Sequence, residues 1–283
     1  LTSNVATVTV TVAAVNDAPV ASSAAASTSE NTELASVVPA ATDVDGTIAS
    51  YSLVTGPASG SLAFNSDGTY SFNPGTAFDD LAEGATREVT FSYTATDNNG
   101  AVSAPATVTI TVTGTNDLPV VGSSNNVVVS EEGLAGANAD TSGTSDTTDA
   151  ASASGTISIS DVDSTSFTVT LNAPTTTLTS DGSTIVWSGA GTGTLTGTAG
   201  GKTIITATVN NSGAYTVTLS GPIDQATAAG ENTLAFAIGV NVSDGLGTTT
   251  SSISVTVEDD SPVIGTPNNG TLNNNIGSVL SGD

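Results

Sequence analysis

The sequence predicts an all-β chain of tandem β-sandwiches arranged end to end. Three observations predict it. Threonine is the commonest residue, and it and valine both favour pleated, half-buried strands. Apolar residues recur with a period of two over most of its length. The 30 Gly and 10 Pro punctuate these runs as turns, while Glu, Lys, Gln and Arg, the usual helix formers, are scarce.

The chain opens on an alternating run, Val5 to Val12, and then reaches Asn16-Asp17-Ala18-Pro19-Val20. The same sequence of events recurs: Val108-Thr109-Ile110-Thr111-Val112 leads into Asn116-Asp117-Leu118-Pro119-Val120. A third version is Ser252-Ile253-Ser254-Val255-Thr256-Val257 followed by Asp259-Asp260-Ser261-Pro262-Val263. Each is a strand, a short acidic link and an X-Pro step, which biases the link to extended backbone. Two whole repeats follow, 19–118 and 119–262. Residues 1–18 read as the last strand of a preceding repeat plus a linker, and 263–283 as a linker and the start of a following domain. The chain is therefore expected to be part of a longer polypeptide.

Within the first repeat, Leu62 and Phe64 face Tyr70 and Phe72 across Asn65-Ser66-Asp67-Gly68, a hairpin turn. Val89, Phe91, Tyr93 and Ala95 alternate with Thr90, Ser92, Thr94 and Thr96 as one long strand with an apolar face. In the second repeat, Phe167, Val169 and Leu171 share a face, as do Leu234, Phe236, Ile238, Val240 and Val242. Ile185 and Trp187 are expected in its core. The threonines of Gly191-Thr192-Gly193-Thr194-Leu195-Thr196-Gly197-Thr198 alternate too, and read as a solvent-facing edge strand.

Charge narrows the function. There are 27 Asp+Glu against 2 Lys+Arg, a formal charge of −25. Nucleic acid and anionic membrane surfaces need clustered Lys and Arg, so neither is a partner. No apolar run approaches the ~20 residues of a membrane helix. With no His and no Cys, histidine-assisted nucleophiles, zinc centres and disulfides are excluded. Such self-repulsion calls for a multivalent counter-ion.

The acids fall at repeated places. Asp43-Val44-Asp45-Gly46 and Asp161-Val162-Asp163 occupy matching positions in the two repeats. Asp97 and Asp244 end the penultimate strands; Glu30 and Glu33 come early in the first repeat, Glu131 and Glu132 early in the second. Glu83, and Asp224 or Glu231, precede the long penultimate strand. Carboxylates at i and i+2 can face the same way, and at that separation they repel unless a cation lies between them. Asp, Glu and Asn oxygens without His or Cys select calcium over zinc or copper, and over magnesium's tighter octahedron. A lone Asp-X-Asp-Gly is an ordinary surface turn; the same set of acids twice, in the same order, is not.

These residues carry a family resemblance. The first repeat resembles the cadherin-like, VCBS-type repeats of very large bacterial surface proteins. The similarity rests on Ser29-Glu30-Asn31-Thr32, Ala41-Thr42-Asp43-Val44-Asp45-Gly46, Gly60-Ser61-Leu62, Asp67-Gly68-Thr69-Tyr70-Ser71-Phe72, Tyr93-Thr94-Ala95-Thr96-Asp97 and Asn116-Asp117-Leu118-Pro119-Val120. The second is similar to the longer repeats of type I-secreted RTX adhesins, through Ser160-Asp161-Val162-Asp163, Gly221-Pro222-Ile223-Asp224, Val242-Ser243-Asp244-Gly245 and Val257-Glu258-Asp259-Asp260-Ser261-Pro262-Val263. The resemblance implies Ig-like, cadherin-like sandwiches with Ca2+ at their junctions. It would group Asn16, Asp17, Asp43, Asp45 and Asp97 at the first junction. Glu30, Glu83, Asn116, Asp117, Asp161, Asp163 and Asp244 would form the second, and Glu131, Asp224, Glu231, Asp259 and Asp260 the third. The family's Asp-Arg-Glu motif is absent around Glu83.

The expected function is structural: calcium-rigidified extender domains of a secreted, cell-surface bacterial adhesin, projecting a distal binding domain for cell adhesion or biofilm formation. Its partners are neighbouring repeats of the same chain, and a monomer is expected. The alternative is a module that binds sugar, peptide or ice, on the strength of the threonine face. Hydrolysis by paired carboxylates is the third reading; repeated acids imply repeated structure rather than one reaction site, so no enzyme is expected.

Overall fold

The computed structural model describes residues 4–135, 137, 147–225 and 232–259. The chain divides into two compact units. Leu1–Val120, Ser160–Ser166 and Asp244–Gly247 form the first; Val121–Ile159, Phe167–Ser243 and Thr248–Asp283 form the second.

The first unit contains β1 (Ala24–Ser29), β2 (Leu34–Val37), β3 (Ile48–Thr55), β4 (Ser61–Phe64), β5 (Thr69–Asn73), β6 (Thr86–Asp97) and β7 (Ala106–Thr113). They form a four-stranded sheet, β1-β7-β6-β3, and a three-stranded one, β2-β5-β4. The hairpin β4–β5 pairs Leu62 with Phe72 and Phe64 with Tyr70. Its turn closes because Gly68 accepts φ 87°, which a side chain would resist. Both sheets supply one core. Phe72 of β5 and Phe91, Tyr93, Val108 and Ile110 of β6 and β7 are at most 1% exposed. Phe91 meets Tyr70 edge-on, centroids 4.9 Å apart, and the buried Tyr93 donates its hydroxyl to Ser22 O at 2.7 Å.

β1 runs parallel to β7, with six residue pairs from Ala24↔Val108 to Ser29↔Thr113. The pairings β2–β5, β3–β6, β4–β5 and β6–β7 are antiparallel.

The second unit holds β8 (Val120–Val121) at its border, then β9 (Val127–Ser130), β10 (Ser152–Thr156), β11 (Ile159–Ser160), β12 (Thr168–Asn172), β13 (Thr179–Ser180), β14 (Ser183–Thr184), β15 (Val186–Ser188), β16 (Thr194–Ala199), β17 (Lys202–Val209), β18 (Ala214–Leu219), β19 (Thr233–Ser243) and β20 (Thr248–Glu258). A five-stranded sheet, β10-β18-β17-β16-β15, and a four-stranded sheet, β12-β19-β20-β9, enclose the core. Leu195, Ile205 and Val217 come from one; Leu171, Ile238, Val240 and Ile253 come from the other. β9 is parallel to β20, Val127 opposite Val255. Tyr215 donates to Asn125 O at 2.6 Å, as Tyr93 does to Ser22. Ile185 is buried, and Trp187 packs half-buried against the same core.

Two strand expectations differ from the structure. Residues 4–19 form no strand, and Val5, Val8, Val10 and Val12 are 79–92% exposed. An alternating pattern becomes a strand only when a neighbour satisfies its ladder, and nothing described in this chain pairs with that run. Thr194–Ala199 is not an edge: it lies between β15 and β17. The alternation named its faces correctly, since Leu195 is buried and Thr194 exposed.

Candidate metal centre

The first unit gathers two constellations of acidic residues. The first forms where the strand-free segment before β1 meets the loops after β2 and β6. Asn16 donates its amide to Asp97 Oδ2 at 2.7 Å. The backbone N–H of Asp17 donates to Asp45 Oδ1 at 3.2 Å. Asp45 in turn donates its own N–H to Asp43 Oδ1 at 3.2 Å, the turn that an Asp-X-Asp sequence favours. Asp97 is 2% exposed and accepts from Asn99 N and Ala101 N, both at 2.8 Å. The Asn16 amide, with these N–H donors, holds its carboxyl below the usual range. Asp43 Oδ2 is buried and has no hydrogen-bond partner. A Cβ on Gly46 would lie 3.0 Å from that oxygen and 2.8 Å from Asn98 Oδ1, so a side chain there would have to displace one of these two polar groups.

The second constellation repeats the main bonds of the first. Asn116 donates its amide to Asp244 Oδ2 at 3.0 Å. The N–H of Asp117 points to Asp163 Oδ2 at 3.4 Å, and Asp163 N–H donates to Asp161 Oδ1 at 3.2 Å. Asp244 accepts Leu246 N and Gly247 N at 2.7 and 2.6 Å, and the Gly247 N–H leads in holding its carboxyl low. Two glutamates join this group. Glu83 Oε2 accepts from Asn116 N at 2.9 Å. Glu30, 1% exposed at the end of β1, accepts both Thr115 N and Thr115 Oγ1 at 2.8 Å through Oε1. Glu33 is exposed.

What distinguishes the second constellation is its unmet need for positive charge. Glu30 Oε2, Asp117 Oδ2, Asp161 Oδ2 and Asp163 Oδ1 are all buried acceptors without a hydrogen-bond partner. Burial pushes the Asp117 carboxyl up, with the charges of Glu30, Asp79 and Asp161 adding to it. Burial also leads for Asp163, joined by its bond to Asp161 and by the neighbouring carboxylates, and raises it to about 6. A carboxylate in such surroundings is held charged at neutral pH only at a penalty that a cation would remove. Asp79 is the addition the sequence pattern missed; the acidic pair Asp79-Asp80 just ahead of Glu83 was its only signal.

The residues fit a hard cation in donor type: every available group is a carboxylate, amide or carbonyl oxygen. They do not present a finished cage. Among the described residues no three Asp or Glu side chains converge as a metal-binding group. Like charges without an ion spread apart, and calcium spheres are completed by backbone and amide oxygens as much as by carboxylates.

In the second unit the acids stand differently. Glu131 and Glu132 are each 6% exposed, and Glu131 Oε1 accepts from Ile223 N at 2.8 Å, as Glu30 does from Thr115. Asp224 accepts from Gly182 N at 2.9 Å; the Thr179 hydroxyl and this N–H hold its carboxyl low. Glu258, 4% exposed and outside the sequence-derived set, accepts Thr147 Oγ1 at 2.5 Å and Thr148 N at 3.2 Å. Asp259 donates its N–H to Asn232 O at 2.9 Å. Glu231 and Asp260 lie outside the described residues.

No curated protein matches the sequence. Among solved structures, PcdhgB3 EC1-4 is similar at 13% identity and a TM-score of 0.45, over 86% of this chain and 50% of that one. Mouse clustered PcdhgC3 EC1-3 is 11% identical, TM-score 0.38, over 86% and 67%. An endo-fucoidan hydrolase of glycoside hydrolase family 107 is 16% identical, TM-score 0.27, over 86% and 29%. The chain thus spans half the length of the first of these and less than a third of the hydrolase. At such scores these likenesses assign neither fold nor activity. The family comparison is more specific: residues 16–114, from Asn16 through β7 and including the whole first constellation, match the bacterial cadherin-like domain.

Proposed function

We propose that this chain is a stretch of adhesion-type repeats working outside the cell, whose acidic links bind calcium and stiffen on binding it. One observation carries the reading: four buried carboxylate oxygens of the second constellation, on Glu30, Asp117, Asp161 and Asp163, have no hydrogen-bond donor to satisfy them. A second constellation with the same bonds, and a match to the bacterial cadherin-like domain over residues 16–114, support it. Cadherin-like domains generally bind calcium.

The ion would supply positive charge and six to eight oxygen-ligand positions. Glu30, Glu83, Asp117, Asp161 and Asp163 would hold it, with Asn116 and Asp244 fixing the link. Asp17, Asp43, Asp45 and Asp97, with Asn16, would do the same at the preceding link. Glu131, Asp224 and Asp259 serve the following one, together with Glu231 and Asp260. The fully extended role is that of an extender in a large secreted surface adhesin of the RTX type, exported by type I secretion and used in adhesion or biofilm. The chain acts as a monomer, its partners neighbouring repeats, and the acids are ligands rather than catalysts.

Isothermal calorimetry with Ca2+ tests it on the chelator-treated chain. Saturable binding that is weakened in both Asp117→Asn and Asp163→Asn supports the reading. Absence of binding heat at millimolar calcium, with no change in melting, refutes it.

A further inference from the structure

The outer face of the five-stranded sheet in the second unit is paved with hydroxyls. Reading across the strands, Ser152, Thr218, Thr206, Thr196 and Ser188 lie in one register row. Ser154, Thr216, Thr208 and Thr194 lie in the next. Residues paired in this way point to the same face, and their inward neighbours Leu195, Ile205 and Val217 are buried. Ser152 and Thr218 share a hydrogen bond of 2.8 Å, as do Ser154 and Thr216. Apart from Lys202 at the start of β17, none of the five strands carries a charged residue.

Where the second row runs down through Ser154, Thr216 and Thr208, the surface sinks into a cavity of about 580 Å³. Thr156, Asn125 and Asn210 also line it, and no lining residue is charged. Its size is that of a small-ligand site. Val209, Ala214 and Tyr215 share the lining, so the cavity joins hydroxyls and amides to apolar surface without any charge.

We propose that this cavity and the hydroxyl rows leading to it bind a single chain of a neutral polysaccharide. Three features select that partner. The lining holds no charge to pair with an anion or a cation, while hydroxyls and amides both donate to and accept from sugar hydroxyls. Adjacent strands repeat every ~4.8 Å, close to the length of one sugar ring along an extended glycan, so each row offers one contact per ring. Sheets twist by about 20–25° from strand to strand, so a flat crystalline surface cannot follow the rows, whereas one flexible chain can. Affinity from such contacts is low per repeat, and tandem copies would raise it by effective concentration.

The test is affinity electrophoresis of the whole chain through gels containing dextran, mannan or a soluble β-glucan, with alginate as the anionic control. The expected result is retardation by at least one neutral polymer and none by alginate. The pair Thr208→Lys/Thr216→Lys, at an exposed and a half-buried position, should abolish the retardation, while Thr90→Lys/Thr109→Lys, on a hydroxyl face of the first unit, should keep it. Chelator should leave it unchanged, which separates this site from the cation centre. Unretarded migration in every neutral gel overturns the proposal. So does equal retardation by alginate, retention of binding in the Thr208/Thr216 variant, or equal loss in the Thr90/Thr109 control.

Discussion

Asn116 hydrogen-bonds Asp244 across 128 residues of sequence, and Asn16 makes the same bond to Asp97 across 81. In each case an amide fixes the carboxylate that closes a penultimate strand, and the next residue, Asp117 or Asp17, directs its N–H at an Asp-X-Asp turn. Backbone and side-chain donors thus hold Asp97 and Asp244, while oxygens of Glu30, Asp43, Asp117, Asp161 and Asp163 are left buried without a hydrogen-bond partner.

Calcium should raise the melting temperature and chelator should lower it. A ligand at 100 times its Kd stabilises the folded state by about 2.7 kcal/mol. For a domain the size of the first repeat each kcal/mol moves the midpoint by roughly 4–8 °C, and by less for the longer second one. Scanning calorimetry with calcium and with excess chelator checks this, and superimposable curves would remove calcium from the account.

Asp163→Asn should stabilise the metal-free chain at neutral pH and abolish most of its calcium response. The sign follows from the raised carboxyl, at about 6 in the fold. A raised folded value favours the fold below the ordinary range near 4 and loses that advantage as pH rises through 6. Wild type and variant should therefore melt alike near pH 4 and diverge by pH 7, the wild type lower. Melting curves in chelator across that window decide it; a constant difference at all pH values would show that Asp163 is not the titrating group.

Asp117→Ala should change circular dichroism very little, since each sandwich keeps its own core. In calcium its small-angle scattering should show a broader distance distribution than the wild type. Identical distributions would mean that no ion at Asp117 governs the link.

Phe91→Ala should destabilise the first unit by ~3–5 kcal/mol, the usual result of truncating a fully buried aromatic. Phe91 is 1% exposed and packs on Tyr70. The second unit has a separate core, so its own unfolding transition should hold its midpoint in denaturant, with tryptophan fluorescence reporting through Trp187.

Much of the fold was legible because its signals are local. Asn65–Gly68 dictates a hairpin, and Val89, Phe91, Tyr93 and Ala95 dictate a strand with one buried face. What pairs with what was less so. Alternation told which face of Thr194–Ala199 meets water but not that strands flank it on both sides. It also made Val5–Val12 look like a strand, although a strand is a relation between two segments. The acids were found because they repeat, which is why Asp79 and Glu258, each without a repeated partner, were passed over. No sequence signal distinguished carboxylate oxygens already engaged by N–H donors from those of Glu30, Asp43, Asp117, Asp161 and Asp163 left without one.

The parallel pairing of β1 with β7 carries a mechanical meaning. These are the first and last strands of their sandwich, so tension on the chain pulls β1 from its start at Ala24 and β7 from its end at Thr113. Side by side and parallel, they are loaded in shear: all six residue pairs resist together, instead of opening one after another like a zipper. β9 and β20 repeat the arrangement with four pairs. Each sandwich thus bears force along the direction in which a tether would be stretched, and its rupture threshold is set by a whole ladder rather than by its weakest rung.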